Sequence, residues 1–172
     1  IVGLGRIGSR VAKRLNGWEC ELVYHDVVEH DAEYVAATGA KKVEFDELVA
    51  TSDIITLHVP LDRVTSHMMS DREFEMMKPT AILINACRGP VVDENALIRA
   101  LESKEIFAAG LDVTEIEPIE ADNPLPTMEN VVVTPHVASK SLESQQNAAL
   151  FTMANAGRIV RGEAPKWVVK PV

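Results

Sequence analysis

Ile1-Val2-Gly3-Leu4-Gly5-Arg6-Ile7-Gly8 opens the chain, an apolar, β-branched start that runs into G-x-G-x-x-G and then into residues of helical character. A strand, a glycine turn and a helix in that order begin a dinucleotide-binding βαβ unit. Each glycine answers a separate need. Gly3 permits the tight turn, Gly5 lets a pyrophosphate approach the backbone, and Gly8 allows close packing of helix on strand. The first amides of the helix and its dipole favour an anion beside Arg6 and Ile7, and Arg6 adds a cation. A plain glycine turn would also satisfy the hexapeptide, but Asp26 favours the nucleotide reading. It ends the next apolar run, where a carboxylate can accept bonds from the adenosine ribose hydroxyls and repel a 2′-phosphate, so NAD is expected over NADP.

Outward from this turn, apolar runs recur at 1–4, 21–24, 54–59, 81–85, 107–113 and 131–134, with a weaker one at Lys42-Val43. Segments 9–15, 32–37, 46–50, 71–77, 93–103 and 141–160 between and after them are helical in period or composition. This alternation predicts an α/β fold, a Rossmann-type doubly wound parallel sheet in three layers, α/β/α. Asp93 is the expected cap of the fifth helix, whose apolar face is Ala96, Leu97, Ala100 and Leu101. The proline-rich stretch 117–126 reads as one long loop. Chemically distinctive residues gather at the carboxyl ends of the runs: Gly5 to Gly8, Asp26, Pro60, Cys87 and Arg88, Asp112, and His136. Open α/β sheets bind ligands at that edge.

At 172 residues the chain suits a single domain, residues 1–172. Its 25% charged and 47% hydrophobic content is that of a globular protein rather than a disordered one. A net charge of −9 argues against nucleic acid, whose phosphates it would repel. No apolar run is long enough to span a bilayer, so no membrane partner is expected. Cys20 and Cys87 are too few and too far apart for a disulfide framework or a metal knuckle, and the histidines show no ligand spacing. A reducing compartment, the cytoplasm, and no metal are therefore expected. Cys87 carries no thiol-catalysis signature and suits packing beside a cofactor.

Asn85-Ala86-Cys87-Arg88-Gly89-Pro90-Val91-Val92-Asp93-Glu94 resembles the N-x-x-R-G-x-x-V-D-E motif of the D-isomer-specific 2-hydroxyacid dehydrogenases. His58-Val59-Pro60-Leu61, Gly110-Leu111-Asp112-Val113, Glu117-Pro118 and Thr134-Pro135-His136 match further motifs of that family in order. The resemblance implies that Arg88 binds the substrate carboxylate, that His136 exchanges a proton with the carbonyl oxygen, and that Glu117 pairs with the histidine. The chemistry agrees: a guanidinium grips planar oxygens through two parallel bonds, and a neighbouring carboxylate orients an imidazole and favours its charged form. The resemblance also implies that Val59, Pro60, Ala86 and Cys87 contact the cofactor, that Asp112 meets its nicotinamide end, and that Ser139 lines the same pocket. The substrate would be a small 2-hydroxy or 2-oxo acid.

Two stretches depart from the family pattern: Asp62-Arg63-Val64 stands where Thr-Pro-Glu is common, and Lys140-Ser141 follows Ser139 where small residues and threonine are commoner. The resemblance further implies a homodimer formed through the dinucleotide domain, and a substrate domain built mostly from a preceding segment. Residues 1–172 would then be the dinucleotide-binding domain without that segment, with 141–172 leading back toward the substrate domain. A non-catalytic NAD-sensing or protein-interaction module on the same fold is the other reading, and retention of Arg88, Glu117 and His136 weighs against it. A methyltransferase using the glycine loop is a third, disfavoured by Asp26 and the R-G-x-x-V-D-E segment.

Overall fold

The computed structural model describes residues 1–168, so 169–172 of the expected return tail lie outside the described residues. Helices α1 (Gly8–Leu15), α2 (Ala32–Ala36), α3 (Phe45–Thr51), α4 (Asp71–Met76), α5 (Glu94–Ser103) and α6 (Leu142–Val160) fall on the six expected segments. Strands β1 (Val23–Tyr24), β2 (Lys41–Lys42), β3 (Ile54–Leu57), β4 (Ile82–Asn85), β5 (Ala108–Leu111) and β6 (Val131–Val133) alternate with them. The chain clusters into two compact units, Ile1–His136 and Val137–Val172.

In the first unit every strand pairing is parallel, in the orders β1-β2 and β3-β4-β5-β6. Val2 joins the two sets, because it bridges His25 beyond β1 and Leu57 in β3. Its amide donates to Thr56 O at 2.9 Å and its carbonyl accepts from His58 N at 2.7 Å, while Gly3 N donates to His25 O at 2.8 Å. The winding therefore reverses at the opening segment, which is where a doubly wound sheet leaves a crevice for ligand. The glycine turn departs from that point.

Adjacent side chains of an extended segment point to opposite faces, and Ile1 and Val2 show the consequence. Ile1 packs with Leu4, Ala12, Tyr24 and Ala40, whereas Val2 belongs to the larger core with Leu48, Ile55, Leu57, Phe74, Leu83 and Leu97. Helices thus cover both faces: α1 and α2 on one, α3, α4 and α5 on the other. Burying a side chain such as Leu83 or Phe74 contributes about 1.5–3 kcal/mol, so the larger cluster carries most of the hydrophobic stabilisation. The expected stripe of α5, Ala96, Leu97, Ala100 and Leu101, is buried, and Asp93 Oδ1 caps that helix by accepting from Ala96 N at 3.0 Å. Met69 and Met77 fill the same core, with Met68 and Met76 packed at its margin.

The second unit contains α6, which Ser141 caps by accepting from Ser144 N at 3.1 Å. None of its residues is buried. Residues 163–166 double back along its last turns: Lys166 N donates to Asn155 Oδ1 at 2.8 Å, and Arg158 Nε donates to Ala164 O at 2.7 Å. No helix of the described residues is long and apolar enough to cross a membrane.

Candidate functional site

The glycine turn is fixed by contact. Gly3 has φ +88, and a Cβ there would sit 2.7 Å from His58 O. A Cβ on Gly8 would lie 2.0 Å from Gly3 O, so nothing larger than hydrogen fits between the helix start and the strand. Gly5 differs, since a Cβ on it would meet nothing within 4 Å. Its backbone faces open space in the turn that leads into α1, and a glycine turn at a helix N-terminus fits a pyrophosphate. Tyr34 Oη, 3.0 Å from Leu4 O and 3.2 Å from Gly5 O, ties α2 to the turn. Sequence reasoning missed that contact.

Asp26 stands beside this turn. Its Oδ2 accepts from Leu4 N at 2.7 Å and lies 3.1 Å from His30 Nε2, and its Oδ1 accepts from Val28 N at 2.8 Å. Burial alone would push its carboxyl up, but the Val28 amide, the His30 ring and the Leu4 amide outweigh it and hold the group below the usual carboxylate range. A fixed negative charge thus stands beside the glycine turn.

A groove of about 690 Å³ continues from the turn, lined by Arg6, Ile7, His58, Val59, Pro60, Leu61, Ala86, Cys87 and Arg88. Seven of these were expected from sequence; His58 and Leu61 were not, although both belong to the H-V-P-L stretch that marked the place. His58 Nε2 lies 3.0 Å from Thr56 Oγ1, and burial pushes its imidazole down to about 4, which keeps the ring neutral at pH 7. Burial pushes the Cys87 thiol up, in keeping with a packing role.

Most of the N-x-x-R-G-x-x-V-D-E segment is scaffold for Arg88. The buried Asn85 amide accepts from Cys87 N at 3.1 Å and donates to Arg88 O at 3.0 Å, pinning the turn after β4. A Cβ on Gly89 would fall 1.8 Å from Thr114 O, so this glycine admits the neighbouring loop. Val91 and Val92 enter the core and Asp93 caps α5, while Arg88 itself is exposed.

The opposite part of the site hangs from β5 and β6. Asp112 N continues the ladder to Asn85 O at 2.9 Å, Asp112 Oδ1 accepts from Thr134 Oγ1 at 2.5 Å, and Asp112 O accepts from His136 N at 2.9 Å. His136 adopts φ 52, a left-handed conformation uncommon outside glycine. Its Nδ1 lies 2.8 Å from Glu117 Oε2, and Glu117 Oε1 accepts from Thr114 N at 3.3 Å. Carboxylate oxygens accept, so the ring's Nδ1 carries the hydrogen. Ser139 falls in the second unit. The departing residues also have local roles: Asp62 Oδ1 accepts from Val64 N and Thr65 N at 2.8 and 3.0 Å, and Ser141 caps α6. Among the described residues, no group of three or more His, Cys, Asp or Glu could hold a metal ion.

Residues 1–138 match the family described as D-isomer specific 2-hydroxyacid dehydrogenase, NAD binding domain. The chain is 43% identical over 169 residues to a glyoxylate reductase of Korarchaeum cryptofilum, covering 98% of this chain and 51% of that protein. It is 44% identical over 172 residues to glyoxylate/hydroxypyruvate reductase B of Cronobacter sakazakii, covering 99% and 53%. The structure of D-lactate dehydrogenase with NAD+ from Lactobacillus jensenii superposes with a TM-score of 0.89 at 36% identity, covering 99% of this chain and 54% of that one. The chain spans about half the length of the curated relatives it matches. With the glycine turn, the Asp26 carboxylate and the ordered motifs all in place, the chain belongs to the D-isomer specific 2-hydroxyacid dehydrogenases, as their NAD binding domain.

Proposed function

We propose that the protein is an NAD-dependent oxidoreductase interconverting a D-2-hydroxy acid and its 2-oxo acid, and that this chain supplies the cofactor site together with the acid, base and carboxylate anchor. The observation that carries this reading is the 2.8 Å pair of His136 Nδ1 and Glu117 Oε2 at the same sheet edge as the glycine turn. Gly3, Gly5, Gly8, Arg6 and Ile7 hold the pyrophosphate and Asp26 the adenosine ribose. Val59, Pro60, Ala86 and Cys87 wall the groove, and Asp112 stands at its nicotinamide end. The nicotinamide, when bound, supplies or accepts the hydride.

In reduction, Arg88 grips the substrate carboxylate through two parallel bonds and fixes the carbonyl carbon in place. Glu117 retains the Nδ1 hydrogen of His136, which leaves Nε2 as the proton-exchanging atom. The Nε2 proton passes to the carbonyl oxygen in this direction, so the alkoxide never stands as a free anion. Oxidation runs the same path in reverse, with neutral Nε2 taking the hydroxyl proton. The proposal extends to a cytoplasmic homodimer joined through the dinucleotide domain.

Reduction of a panel of small 2-oxo acids, glyoxylate included, by the complete enzyme with NADH tests this reading. Arg88→Lys should lower kcat/KM by about a hundredfold or more, because an ammonium cannot reproduce the paired contact. A wild-type enzyme inactive on every member, or Arg88→Lys within twofold of wild type, would overturn it.

A further inference from the structure

We infer that Glu94, assigned no part in the chemistry so far, is a positioning residue that holds the Glu117 loop and thereby sets the orientation of the His136 ring. Glu94 is the first residue of α5, far in sequence from the loop it grips. Its Oε2 accepts from Glu115 N at 2.9 Å and its Oε1 accepts from Asn123 Nδ2 at 2.6 Å. One carboxylate therefore spans both ends of the 115–123 loop, which carries Glu117 close to its first anchor.

Glu115 returns the contact. Its Oε1 accepts from Glu94 N at 3.3 Å and pairs with His67 Nε2 at 2.6 Å. Asn123 Oδ1 in turn accepts from Leu125 N at 3.0 Å, which fixes the descending arm of the loop to the segment that re-enters the core at Leu125. Between these anchors, Thr114 Oγ1 donates to Ile116 O at 2.8 Å and Thr114 N donates to Glu117 Oε1. The Glu117 carboxylate is thus delivered to His136 from a main chain fixed on both sides, although Glu117 and His136 are themselves half-exposed. A half-exposed pair contributes little energy of its own, and the Glu94 clamp adds to the hold that Thr114 has on the loop.

The chemistry of the clamp dictates its test. Glu94→Gln has one acceptor oxygen for two donors and turns an amide toward the Asn123 amide. Asn123→Asp sets a carboxylate against a carboxylate. The double variant Glu94→Gln/Asn123→Asp restores both bonds with donor and acceptor exchanged, since the side-chain amide introduced at position 94 donates to the new carboxylate while its oxygen still accepts from Glu115 N.

The inference rests on the proposed function for its catalytic meaning, but its first readout does not need turnover. Ring ¹⁵N shifts of His136 in this chain should report the Nδ1–H tautomer in wild type, a redistribution toward Nε2–H in each single variant, and a return in the double variant. In the complete enzyme, kcat should fall about tenfold in each single variant with the NADH Kd within twofold, and recover within twofold in the double variant. Melting by circular dichroism confirms that each variant is folded, and Asn123→Asp with the double variant gives the same reading should Glu94→Gln fail to fold. A ring tautomer unmoved by either single change, or unrestored by the double one, overturns the clamp. An inactive wild-type enzyme with the expected tautomer pattern would instead remove the proposed function and leave the clamp standing.

Discussion

Around the glycine turn the main chain is fixed by contact: the helix start presses on Gly3 O so closely that a Cβ on Gly8 would lie 2.0 Å from it. Around His136 the geometry is fixed by polar groups, through Asp112, Thr134, Glu117 and the Glu94 clamp. Steric fixation admits no substitution and needs no charge. Polar fixation tolerates change in the fold while the chemistry suffers, because half-exposed ion pairs add little stability. Stability and function are therefore expected to separate between the two parts of the site.

The sharpest way to break this contrast is Gly8→Ala. The added methyl meets backbone rather than a flexible side chain, so unfolding free energy should drop by about 3 kcal/mol or more, measured by urea titration. A loss below about 1 kcal/mol would show that the turn can relax. Next comes His58, whose imidazole titrates near 4 when folded and near 6.5 when unfolded. Between those values the unfolded chain binds more protons, so stability falls as pH drops through that window. Allowing for its partial exposure, the loss is about 2 kcal/mol between pH 7 and 4, and His58→Asn should flatten the profile over that range. The smallest effect is at Glu117→Gln, where stability should stay within about 0.5 kcal/mol while kcat falls. A large stability loss there would place Glu117 in the scaffold.

The sequence was most informative where local chemistry sufficed. The later strand runs, the Asp93 cap and the buried stripe of α5 follow from period and side-chain type and appear where expected, whereas the opening run at 1–4 is reduced to bridges at Val2, since the chain turns away at Gly3. The weak run at Lys42-Val43 emerges one residue earlier, at Lys41–Lys42, on an edge where both side chains are exposed and no face pattern fixes register. The expected strand at 107–113 is trimmed to Ala108–Leu111, although Asp112 still extends the ladder through its amide. Site residues with family motifs were legible individually. The contacts of Tyr34, Glu94, Glu115 and Asn123 were not, because they join distant segments in ways that no local pattern encodes, even at Glu94, which the R-G-x-x-V-D-E motif contains. The expectation of one domain across 1–172 stands beside a division after His136, where α6 buries none of its own residues.

The central claim is that this chain carries an NAD site whose selectivity resides in Asp26, and calorimetric titration of the chain with NADH and NADPH, alongside Asp26→Ala, tests it most directly. Micromolar NADH binding, weakened about tenfold in the variant, with NADPH bound at least about tenfold less tightly by wild type, is the predicted result; a folded chain that binds neither dinucleotide, or binds NADPH as tightly as NADH, would contradict it.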